Sequence, residues 1–159
     1  MIEISDEVRQ KIYDLYEECG ESDRPHRKLD LFIVPDELSR KIYDATQLDV
    51  SGHWVCLDNF GIMHTIEHHG NIVSERKRGQ IAVVKEDFLT MLDVLLYPDE
   101  ILSVGNTNKS QKPSLQFIKT ISDKIFVVKE IRTITSQKKG KISRLVFHTM
   151  YKIRATKLS

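Results

Sequence analysis

Three of the six histidines fall within six residues, at His64, His68 and His69, and the cations Arg76, Lys77 and Arg78 follow closely. Imidazole titrates near pH 6.5, so it can take or give a proton at neutral pH. Two chemistries fit that cluster. The first is metal-assisted: His64-Thr65-Ile66-Glu67-His68 spells H-x-x-E-H, the inverted zinc-peptidase pattern. Histidines at i and i+4 can bind one metal, and the intervening glutamate can activate a water. A third ligand is required, and the sequence that follows is mostly strand. Glu130, on a predicted strand, is the conceivable donor. The second chemistry needs no metal and no cofactor. RNA carries its own nucleophile, the 2′-hydroxyl, so cleavage needs a base, an acid and a cation for the charge that develops on phosphorus. Hydroxyls from Thr or Tyr can orient the phosphate oxygens. His64, His69, Arg76 with its neighbours, Arg132, Thr149 and Tyr151 supply those types.

Position decides whether such groups meet. At about 100° per residue, Ile62, Met63 and Ile66 share one helical arc with Phe60 at its edge. His64 and His68 share the opposite polar face, and His69 lies just before Gly70, a helix stop. Core packing is expected through the isoleucines. On an ideal helix His64 and His69 point about 140° apart, so they can serve one site only if the helix ends or distorts at His69. His68 is better aligned with His64 and stands as a supporting residue. Upstream, residues 5–19 and a segment after Pro35 read as amphipathic helices, with LDLFIV between them as a strand and HWVCL as a short apolar run. Arg76–Lys77–Arg78 reads as an exposed loop, Ile81–Val84 as extended, and the stretch from Glu86 to Pro98 as a helix. From Ile101 four runs rich in Val, Ile, Phe and Thr form a meander. Alternation puts Glu130 and Arg132 on one face of their strand, and Leu145, Phe147, Thr149 and Tyr151 on one face of theirs.

The expected fold is α+β, with N-terminal helices packed on a four- to five-stranded antiparallel sheet. A single domain over 1–159 is expected, with a helical part over 1–50 and a core over 51–157. Formal net charge is +1, so bulk charge announces no nucleic-acid partner, but its distribution is uneven. The first fifty residues hold 13 Asp/Glu against 7 Lys/Arg, whereas from Ile101 onward 13 Lys/Arg face only Asp123 and Glu130. That asymmetry points to a basic surface on the later part. Two cysteines, Cys19 and Cys56, match no metal spacing and suggest a reducing, cytoplasmic setting. No apolar run is long enough to span a membrane, and no signal peptide is expected.

In order and spacing, DNFGIMHTIEHHG (58–70), RGQIAVVKEDF (78–88), LYPDEI (96–101), KEIRT (129–133) and HTMYK (148–152) resemble the phage-borne branch of the barnase–EndoU–colicin–RelE-like nucleases. The resemblance covers about residues 50–155. It implies a toxin-like, metal-independent endoribonuclease that leaves a 2′,3′-cyclic phosphate, with RNA, tRNA among it, as substrate and an immunity or antitoxin protein as partner. Residue by residue, it implies His64 and His69 as acid and base, Arg132 with Glu130 before it as the late cation, and Thr149 and Tyr151 as phosphate ligands. Arg76, Lys109, Lys119 and Lys152 are candidates for RNA-backbone contacts, which would make activity salt-sensitive.

Each residue also has a plainer reading. His64 and His68 could form a solvated helix face, and His69 gains from the helix dipole. Glu130 and Arg132 could be a same-face ion pair, and Thr149 and Tyr151 suit any strand. His26 reads as solvated, His53 and His148 as structural, and Trp54 and Phe117 as core. The rivals to a nuclease are a non-catalytic RNA- or protein-binding domain of the same fold and the zinc hydrolase built on His64, Glu67 and His68.

Overall fold

The computed structural model describes residues 3–19, 26–106, 112–137 and 140–155. Among these, α1 (Asp6–Glu18) begins where Ser5 Oγ accepts from Val8 N at 3.2 Å, with Asp6 and Glu7 in the first turn, and it buries Ile12 and Leu15. β1 (Lys28–Ile33) leads through Pro35 into α2 (Asp36–Thr46), which ends at left-handed Gln47, φ 63°. Then follow β2 (Trp54–Asp58), α3 (Asn59–His69), α4 (Ile72–Lys77), α5 (Asp87–Leu96) and β3 (Glu100–Asn106). The last three strands are β4 (Pro113–Ile121), β5 (Lys124–Gln137) and β6 (Gly140–Arg154). No described helix is long and apolar enough to cross a membrane.

The sheet has six strands in the order β1-β2-β6-β5-β4-β3. It is therefore larger than the four or five expected, and not wholly antiparallel. β3, β4, β5 and β6 form the anticipated meander, but β2 joins β6 in parallel, Val55 opposite Leu145, and β1 pairs antiparallel outside it. The physical reason lies in HWVCL. Val55, Cys56 and Leu57 are all buried, the unbroken apolar pattern of a strand covered on both faces. Arg76 and Lys77 end the short helix α4, capped by Asn71, where a loop was expected, and only Ile81 of the extended stretch makes a bridge, to Lys152.

One face of the sheet is covered. Val55, Leu145, Phe147, Met150, Val128, Phe126, Leu115 and Phe117 form one buried cluster with Phe88, Met91 and Leu92 of α5, Ile12 of α1 and Leu38 and Ile42 of α2. The other face lies outside that cluster and is less covered away from β2: Lys129, Ile131, Gln116 and Ile118 are half-buried there, while Val127 and Val146 are buried.

α3 lies against β6 beyond the short stretch, Arg144 to Val146, that pairs with β2. Its contact is not the expected isoleucine arc. Ile62 is fully buried, but Ile66 is 36% exposed, and Gly61 and Thr65, one turn apart, meet the strand directly. A Cβ at Gly61 would stand 2.6 Å from Phe147 O, so the absence of a side chain sets how closely helix and strand approach.

Candidate active site

β6 carries an extra residue. Lys129 pairs with Thr149 but Glu130 pairs with Phe147, which leaves His148 as a bulge. Upstream of it Leu145 and Phe147 point into the core. Downstream Met150 and Lys152 take the core positions, so Thr149 and Tyr151 face the open side. The expectation that Leu145, Phe147, Thr149 and Tyr151 share one face therefore fails, because strict alternation does not survive a bulge.

The same bulge brings His148 to the histidine helix. The His64 ring lies 4.9 Å from His148 and 4.4 Å from His68. Thr65 Oγ1 donates to Gly61 O at 2.9 Å and lies 3.5 Å from Thr149 Oγ1. The His69 ring is 5.7 Å from Tyr151. α3 and β6 thus run side by side, with His64, Thr65 and His69 abreast of His148, Thr149 and Tyr151. The 140° between His64 and His69 is accommodated because both flank the strand edge, one on either side of Thr65.

His69 is held firmly. Its Nδ1 lies 3.1 Å from Glu75 Oε2 and 3.2 Å from Gln80 Oε1. Both partners are acceptors, so Nδ1 carries the proton and Nε2 is left for chemistry. Glu75 is fully buried, with Arg78 Nη1 3.4 Å from its Oε1. Sequence reading missed Glu75, although it stands six residues after His69, because the segment was taken as loop.

Burial holds the His64 imidazole below its ordinary pKa, His68 and His69 adding to the effect and Glu67 opposing it. His148 is depressed likewise, first by burial and then by His64 and Lys129, with Asp58 opposing. Both rings therefore favour the neutral form at pH 7. Lys129, opposite Thr149 on the open face, is the nearby cation.

Other expected residues go elsewhere. Arg132 alternates with Lys129 and so lies on the covered side, level with Leu145, where its Nε donates to His53 Nε2 at 3.1 Å. Glu130 is 0% exposed on that same side, both carboxyl oxygens lack a hydrogen-bond partner, and burial raises its pKa well above the ordinary value, Asp58 adding to it. Burial there disfavours the charged carboxylate, and Glu130 forms no ion pair with Arg132. Lys152 is 5% exposed, with Nζ 2.7 Å from Asp87 Oδ2, and Lys119 Nζ donates to Tyr97 O at 2.6 Å. Both lysines fall on core-side positions, so neither ammonium faces the open side. Arg76 is exposed at the end of α4, and Lys109 lies outside the described residues. His53, read as structural, is buried. His26 is not merely solvated: its Nε2 lies 2.8 Å from Asp58 Oδ2.

For a metal, Glu67 lines a groove between α1 and α3 with Tyr16, Met63 and Ile66, apart from the His64–His148 contact. Among the described residues no three His, Cys, Asp or Glu side chains converge as a metal-binding group. No curated protein and no solved structure matches the chain. One family model does, over residues 33–159. On that match, which takes in α3, Glu75 and the whole of β6, the chain belongs to the phage-Barnase-EndoU-ColicinE5/D-RelE like nuclease3 family.

Proposed function

We propose that this nuclease-family domain is a metal-independent endoribonuclease that uses the RNA 2′-hydroxyl as nucleophile. The observation that carries the reading is the pair of histidines set along β6, on either side of Thr149. A desolvated His64 beside His148 and a Glu75-clamped His69 beside Tyr151 stand on either side of Thr149. In the proposed mechanism His64, kept neutral, takes the 2′-OH proton as the oxygen attacks phosphorus. The P–O5′ bond breaks, His69 Nε2 delivers a proton to the departing 5′-oxygen, and a 2′,3′-cyclic phosphate remains. The cycle needs His69 protonated at Nε2 when leaving-group departure begins, and Glu75 fixes the other nitrogen as the N–H that stays. Thr149 and Tyr151 hydroxyls orient the phosphate. Lys129 takes the role first expected of Arg132, countering the phosphorane charge. His148 keeps His64 in place. A toxin-like action in a cytosol, on tRNA or other RNA, and an immunity partner belong to the same reading.

The test is incubation with total RNA and with tRNA in EDTA, with analysis of fragment ends, for wild type and for His64→Ala, His69→Ala and Glu75→Gln. Cyclic-phosphate ends from the wild type, lost in both histidine variants and reduced in Glu75→Gln, are expected. Equal RNA binding by wild type and His64→Ala with no cleavage by either would leave a binding domain. Activity that appears only with zinc would move the chemistry to His64, Glu67 and His68.

A further inference from the structure

Beside the histidines is a cavity of about 330 Å³, lined by Asp58, Phe60, Gly61, His64, Val146 and His148 among others. That volume is within the range of small-molecule sites. Phe60 is 51% exposed on the first turn of the helix that bears His64, so core packing does not explain it. Its ring is nonetheless fixed. His26 stacks on it at 4.5 Å and 7°, and His26 Nε2 is 2.8 Å from Asp58 Oδ2. Asp58 in turn caps α3, Oδ1 accepting from Gly61 N at 2.7 Å. A rigid, exposed aromatic beside a carboxylate, opening onto His64, matches what an unstacked base requires: a flat apolar wall and an acceptor for its N–H groups.

We propose that this cavity is the base subsite of the enzyme, taking one nucleobase of single-stranded RNA. Phe60 is the stacking wall, and Asp58 accepts a hydrogen bond from a ring N–H or amino group of the base. His26 is a positioning residue for Phe60. It lies before residue 33, so the subsite is completed from outside the stretch that the family model matches. The assignment rests on the nuclease reading, since it places the base beside the proposed His64 base.

The test uses fluorescent 2′-O-methyl RNA oligonucleotides of mixed sequence, which lack the nucleophile and cannot be cleaved, together with abasic oligonucleotides of the same backbone. Binding is followed by anisotropy at low salt. Phe60→Ala weakens binding of the base-bearing oligonucleotide about tenfold or more and leaves the abasic one unchanged. Phe60→Trp retains binding, and His26→Ala loses part of what Phe60→Ala loses, again only for the base-bearing ligand. Equal binding of both ligands by wild type and Phe60→Ala, or an equal loss for both, overturns the subsite. Failure of the two readings is separable. Base-dependent binding through Phe60 in a protein that cleaves no RNA keeps the subsite and removes the transesterase. His64-dependent cleavage with unchanged sequence preference in Phe60→Ala does the reverse.

Discussion

Gly61→Ala puts the packing of the histidine helix to a quantitative test. The new methyl would sit 2.6 Å from Phe147 O, 2.7 Å from Phe147 Cδ1 and 3.0 Å from Asp58 Oδ1. Ordinary contact begins at 3.4 Å, so helix and strand must part by about 0.8 Å. The obstacle is a backbone carbonyl within the sheet, which cannot rotate away. Alanine in a helix gains about 1 kcal/mol over glycine, whereas forced overpacking costs about 1–3 kcal/mol and a rigid obstacle favours the upper end. The expected net loss is about 1–2 kcal/mol, several degrees in Tm for a chain of this size. Because α3 carries His64 and His69, the same shift displaces both rings from Thr149 and Tyr151. Misplacement near 1 Å costs on the order of 100-fold in rate. Urea unfolding and RNA cleavage read the two effects. A variant as stable as wild type, or more so, with unchanged cleavage would show that α3 does not depend on that close approach.

Exchanging cations separates the two faces of the sheet: Lys129→Ala should lower cleavage about 100-fold or more, and Arg132→Ala far less, with equal losses refuting the assignment. Lys152→Met strands the buried Asp87 carboxylate and should cost about 3–5 kcal/mol in chemical denaturation, much of it restored by adding Asp87→Asn; no rescue would mean the pair is not what holds α5. Glu130→Met removes a buried polar group without a partner and should raise stability at pH 7 by about 1–3 kcal/mol, whereas a loss would reveal a partner for the carboxyl. His53, His64 and His148 all have depressed pKa values, burial first among the causes. The unfolded chain therefore binds more protons below about pH 6.5, so the stability these residues contribute is full above that pH and is lost as pH falls through their folded values. Cleavage should fall over the same acid range as His64 protonates, and an acid limb centred above pH 6.5 would contradict a desolvated His64.

Much of this arrangement is legible in the residues alone. Ser5, Gly70 and the 3.6-residue spacing of Phe88, Met91, Leu92 and Leu95 mark helices because caps and periodicity are local properties. The meander after Ile101 follows from its β-branched and aromatic runs. What stayed hidden depends on pairing across long distances. Nothing in KEIRT or HTMYK announces that His148 is supernumerary, yet that one residue moves Thr149 and Tyr151 to the open face, turns Lys152 inward, and so parts the two hydroxyls from Arg132. Glu75 escaped notice because a six-residue helix offers too little periodicity to recognise. The parallel pairing of β2 with β6 joins Trp54 to Arg144, a relation that no local pattern encodes.

That pairing has a consequence for how the molecule comes into being. β6, the last described strand, lies in the middle of the sheet, between β2 and β5, and also receives α3 and Ile81. During synthesis, β3, β4 and β5 can assemble as neighbours, and β1 can find β2, but the two halves have no shared strand until residues 140–154 emerge. The cost of closing so long a loop falls on one late event, which predicts slow, cooperative folding limited by the docking of β6. His64 and His69 meet Thr149 and Tyr151 only in that step, so a ribosome-bound chain lacking β6 would carry both histidines without an assembled centre.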